Sequence, residues 1–84
     1  MSRHDKLYSR IKQHPDNVDW KDFLALCTHY FGAPVRQRGS HIIFALPSWA
    51  EHGPLTVQRS GKLAKGYQVR QALRHIERIR DGHG

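Results

Sequence analysis

Only two residues, Gly39 and Ser40, separate Val35-Arg36-Gln37-Arg38 from the apolar, β-branched run His41-Ile42-Ile43-Phe44-Ala45-Leu46. A break that short can join strands only in antiparallel fashion, because a parallel crossover needs a dozen or more residues. Leu55-Thr56-Val57-Gln58 reads as a third strand, after a loop over residues 47–54 that holds two prolines and a glycine. These connections predict an antiparallel meander of three strands.

Helical patterns flank the meander. Asp19-Trp20-Lys21-Asp22 reads as a helix start, with Asp19 as N-cap and Asp22 three residues on. Trp20, Phe23, Leu24, Cys27, Tyr30 and Phe31 then recur at helical spacing until Gly32 and Pro34 stop the run. Near the other end, Val69, Ala72, Leu73 and Ile76 form one stripe, with Arg70, Arg74 and Arg78 at four-residue intervals on the far side. Leu7, Tyr8 and Ile11 predict a short helix over residues 5–13, ended by His14-Pro15. Residues 60–66 read as a flexible basic loop. The expected fold is therefore α+β: a helix, three antiparallel strands and a helix, both helices on one face of the sheet, with a short helix in front. The segments are an extension over 1–18, a domain over 19–80 and a flexible tail over 81–84.

Eighty-four residues allow one small core. Fourteen Lys+Arg against seven Asp+Glu give a formal charge of +7, which favours a polyanionic partner. Between residues 55 and 80, Arg59, Lys62, Lys65, Arg70, Arg74, Arg78 and Arg80 stand against Glu77 alone. The single cysteine, Cys27, excludes an internal disulfide and reads as a small buried hydrophobe. No apolar run reaches membrane-spanning length and the N-terminus is polar, so a cytoplasmic protein without membrane association is expected. The other histidines lack zinc-ligand spacing, and no metal or cofactor is expected.

Histidine exchanges a proton near neutral pH. Two roles are open to His41: acid or base beside a bound phosphodiester, or a strand-edge side chain that donates one hydrogen bond. The residues by themselves favour the second. Lys62 and Lys65 precede the last helix, where lysines and free N–H groups can converge on phosphate; a solvated loop is the alternative. Arg36, Arg38 and Arg59 are further phosphate candidates. Arg70 and Arg74 suit either RNA or an acidic protein, and Trp49 suits a base or a partner.

Three stretches carry a family resemblance: residues 35–44 around Gly39-Ser40-His41, then Leu55-Thr56-Val57, then Gly61-Lys62-Leu63-Ala64-Lys65-Gly66 ahead of a helix. Together they resemble the HicA toxins of HicAB toxin–antitoxin systems, over residues 19–77. The resemblance implies a double-stranded-RNA-binding-domain-like α-β-β-β-α fold and an mRNA interferase, a metal-independent endoribonuclease of stress responses. It implies a HicB antitoxin as partner, a free monomer that enters a higher assembly with it, and the cytoplasm of a bacterium or archaeon. The family's catalytic histidine falls on His41 and its turn glycine on Gly39; Gly39, Ser40, Arg36, Arg38, Arg59, Lys62 and Lys65 then become RNA contacts, and Arg70, Arg74 and Trp49 antitoxin contacts. The chain departs from the family in the residues before Asp19, in a long 47–54 loop, and in having Ala64-Lys65-Gly66 where members often have Lys-Pro-Gly. A non-catalytic RNA-binding module of the same fold is the alternative.

Overall fold

The computed structural model describes residues 3–46 and 53–82. Helix α1 spans Arg3–Gln13, with Asp5 in its first turn and Arg10 and Lys12 in its last, charges that suit the two ends of the helix dipole. Helix α2 spans Trp20–Phe31. Its Asp19 cap accepts from Lys21 N at 2.8 Å, and Gly32 N closes it on Thr28 O at 3.0 Å. Asp22, expected to reinforce that cap, instead accepts from Arg10 of α1 at 3.0 Å.

Among the described residues the sheet has four strands rather than three. β1 (Arg36–Arg38), β2 (His41–Phe44), β3 (Leu55–Ser60) and β4 (Leu63–Ala64) form an antiparallel meander in the order β1-β2-β3-β4. Its first turn, Gly39-Ser40, has Gly39 at φ 56; its last, Gly61-Lys62, has Gly61 at φ 62. Both place glycine first in a two-residue hairpin, where a positive φ matches strand twist. The segment read as a flexible loop is thus a hairpin, and β3 runs two residues beyond Gln58. β4 is held from its other side as well: Ala64 N donates to Val18 O and Trp20 N to Lys62 O, both at 2.9 Å. The α1–α2 connection therefore covers the β4 edge. β2 ends at Phe44, two residues short of expectation.

Helix α3 spans Gly66–Arg80 and buries Val69, Ala72, Leu73 and Ile76, the predicted stripe. Inward-facing Ile42, Phe44, Leu55, Val57 and Ala64 meet Phe23, Leu26 and Cys27 of α2 and the α3 stripe in one core. Alternate strand residues are exposed, so one sheet face is covered and the other is open. Tyr8, Ile11 and Val18 belong to the same core, so the segment over residues 3–18 contributes to it. Among the described residues, no helix is long and apolar enough to cross a membrane.

Candidate nucleic-acid interface

Strand register assembles the candidate site. Arg38 pairs with His41 across β1–β2, and His41 with Gln58 across β2–β3. Residues directly opposite in an antiparallel pair share a face with Cβ atoms about 5 Å apart. His41 alternates with buried Ile42 and is itself exposed, so this row lies on the open face. Lys65 follows Ala64, which pairs with Arg59, and so comes alongside Gln58; its Nζ donates to Gln58 Oε1 at 3.2 Å. One transverse row thus runs Arg38, His41, Gln58, Lys65. Arg36 pairs with Ile43 and Ile43 with Thr56, forming a second row on the same face.

Ser40, expected as an RNA contact, is engaged by Gln58, whose Nε2 donates to Ser40 Oγ at 3.3 Å. Gln58 is the residue that sequence reasoning missed. Its place in the polar alternation Thr56, Gln58, Ser60 marks it as outward, but nothing local couples it to Ser40 or Lys65. Gln68 was also missed. It is buried, and its Oε1 accepts the main-chain N–H of Gln58 at 2.8 Å, standing in for a ladder partner where β4 has ended.

The described acids lie on the helices and their connections, not on the strands. Arg10–Asp22 (3.0 Å), Lys12–Glu77 (3.1 Å), Arg80–Asp5 (2.9 Å) and Arg70–Asp16 pair cations with acids among the helices and their connections. None of the four strands carries an acid. Among the described residues, Arg36, Arg38, Lys62 and Lys65 have no carboxylate partner, and Arg59 Nε donates to the carbonyl of Gly61 at 2.7 Å. Of these, Arg36, Arg38 and Lys65 lie on the open face, and cations without acid partners attract a phosphate backbone.

The start of α3 differs from expectation. Asp16 lies against Gly66, where an added Cβ would collide with its carboxylate, and Asp16 also holds Arg70. An acid already sits at the positive end of this helix. Lys65 therefore serves the row by its side chain, and Lys62 lies beyond the row in the Gly61-Lys62 turn. Arg74 is exposed, and Trp49 and His52 lie outside the described residues.

A broad groove lies elsewhere, between α1 and α2, lined by Arg3, Lys6, Arg10, Lys21, His4 and His29, with no member of the row. Among the described residues no three His, Cys, Asp or Glu side chains cluster as metal ligands would. Burial pushes the Cys27 thiol far above its usual range, so Cys27 is no nucleophile. Comparison with protein-family models, curated proteins and solved structures finds no match to this chain.

Proposed function

We propose that the chain is a metal-independent endoribonuclease of the HicA mRNA-interferase type and that the open sheet face is its RNA site. The observation that carries this reading is the row itself. An exposed imidazole lies between Arg38 on one side and Gln58 with Lys65 on the other, on strands that bear no acid. RNA brings its own nucleophile. The 2′-oxygen attacks the adjacent phosphorus, the bond from phosphorus to the 5′-oxygen breaks, and a 2′,3′-cyclic phosphate and a 5′-hydroxyl result. His41 takes the proton of the 2′-hydroxyl or returns one to the departing oxygen, help worth roughly 10²–10⁴ in rate. Arg38 and Lys65 hold the phosphate as its charge grows.

The order from Trp20 to Arg80, helix, strands, helix, supports a double-stranded-RNA-binding-like fold with a two-residue strand added before α3. The proposed partners are mRNA and a HicB-type antitoxin that covers the cationic face. Arg74, exposed and without a carboxylate partner among the described residues, is the better antitoxin contact, since Arg70 already holds Asp16.

A second reading, a non-catalytic RNA-binding module, is favoured by one observation: no described residue hydrogen-bonds the His41 imidazole to fix its orientation. One experiment separates the two. Purified protein and a His41→Ala variant are incubated with single-stranded RNA in chelator, and product ends are analysed. Cleavage to 2′,3′-cyclic phosphate ends by the wild type only, with RNA affinity retained by the variant, supports the nuclease. Salt-dependent binding without cleavage by either protein supports the binding module. If neither binding nor cleavage is seen, both readings fail.

A further inference from the structure

Tyr67 stands on the first turn of α3, two residues after Lys65, with 63% of its surface exposed. Its phenol oxygen is nevertheless tethered: Gln68 Nε2 donates to it at 3.3 Å. Gln68 is only 6% exposed, and its other amide atom accepts the main-chain N–H of Gln58. Gln58 in turn opposes His41 and accepts from Lys65. The tip of an open aromatic ring is thus two hydrogen bonds from the centre of the cationic row. Counted in strands, that lies about two spacings from β2, on the order of 10 Å.

Tyr8 is held by packing and is buried at 7% exposure; the Tyr67 ring is instead open to solvent while its hydroxyl is held. A side chain with two rotatable bonds, anchored by helix backbone and by its tip, loses little further freedom when a flat group lies on it. Cations suffice to hold a phosphate backbone; a fixed π-face beside them adds a surface that suits a nucleobase. In a duplex the faces of each base are covered by its neighbours, so only an unpaired base can stack on a side chain.

We infer that Tyr67 is a base-stacking platform for the His41 site, and that the ligand of the site is single-stranded RNA with an unpaired base beside the bound phosphate. This rests on the reading of the sheet face as an RNA site and extends it to a substrate class. Tyr67 touches the base and no reacting atom.

The test measures binding of a fluorescently labelled short single-stranded RNA by anisotropy, in full-length protein carrying His41→Ala to prevent cleavage. Adding Tyr67→Leu is expected to weaken binding roughly ten-fold, the scale of one lost stacked base, while Tyr67→Phe, which keeps the ring, changes it much less. Affinity for duplex RNA is expected to be the same with and without Tyr67→Leu. An RNA scanned with single abasic nucleotides probes the same contact with Tyr67 intact. One position is expected to cost as much as Tyr67→Leu, with no further loss when the two are combined. Equal affinity of the Tyr67→Leu and parent proteins, or an abasic scan without a sensitive position, overturns the stacking role and leaves the RNA site standing. A parent that binds no RNA overturns the RNA site and this inference with it.

Discussion

Gln58 uses both ends of one amide: Nε2 donates to Ser40 Oγ and Oε1 accepts from Lys65 Nζ. It ties the β1–β2 turn to the start of α3 and lies directly across from His41. His41 has no such ties among the described residues. Its replacement by alanine is expected to change stability by less than about 0.5 kcal/mol, as at most exposed positions. Thermal denaturation checks this, and a large fall in Tm would make His41 a structural residue. Cys27 is the opposite case. Fully buried, with its thiolate disfavoured by desolvation, it is expected to react with a thiol reagent only at the rate of global unfolding. Labelling that is fast in native buffer would contradict the packing of α2.

At the scale of elements, ends matter more than middles. The Asp19 carboxylate satisfies one of the free N–H groups that open α2, so Asp19→Ala is expected to cost about 1 kcal/mol, read from urea midpoints. Gln68→Leu removes the acceptor for Gln58 N–H where β4 has run out, and is expected to cost about 1 kcal/mol or more. If Gln68→Leu proves neutral, Gln58 N–H has no need of a surrogate ladder partner. The two hairpins show how far local chemistry can be read. Gly39-Ser40 is legible because six residues of apolar, β-branched chain follow it. Gly61-Lys62 is the same kind of turn, yet β4 has only two residues, too few to show a period of two. Its existence depends on pairing at both edges, with β3 and with Val18 and Trp20.

Across the whole molecule, α1 is bound in by more than its apolar face. Arg80 Nη1 donates to Asp5 of α1 at 2.9 Å and to the Tyr30 hydroxyl of α2 at 2.7 Å, and its guanidinium lies 4.2 Å from the Tyr8 ring. Exposed ion pairs of this kind contribute little. Burying Tyr8 and Ile11 contributes more, about 1.5–3 kcal/mol each, against a total near 5–15 kcal/mol for a domain. Deleting residues 3–13 is therefore expected to lower Tm by at least about 12 °C or to abolish cooperative melting. Burial and the neighbouring Glu77 carboxylate raise the Tyr8 phenol above its usual range. Below about pH 10 both folded and unfolded chains keep that proton, so the stabilisation is complete there. Above it the unfolded chain loses the proton first, and stability falls until pH passes the folded value. Tyr8→Phe is expected to flatten this alkaline decline, measured as melting temperature against pH.

Much of this protein is written along the chain itself. Three helices, the first hairpin and the inward faces of β2 and β3 follow from apolar period, capping residues and glycine turns, all set by neighbours within a few residues. The concentration of cations toward the second half is equally plain in the sequence. What stayed hidden needs partners far apart along the chain. The alignment of Arg38, His41, Gln58 and Lys65 in one row follows from register and from where β4 stops. The seating of α1 in the core follows from contacts of Tyr8 and Ile11 that only the packed helices supply. The place of Asp16 at the start of α3 follows from how the α1–α2 connection returns to the β4 edge. Local pattern says which way a side chain faces; only packing decides what it faces.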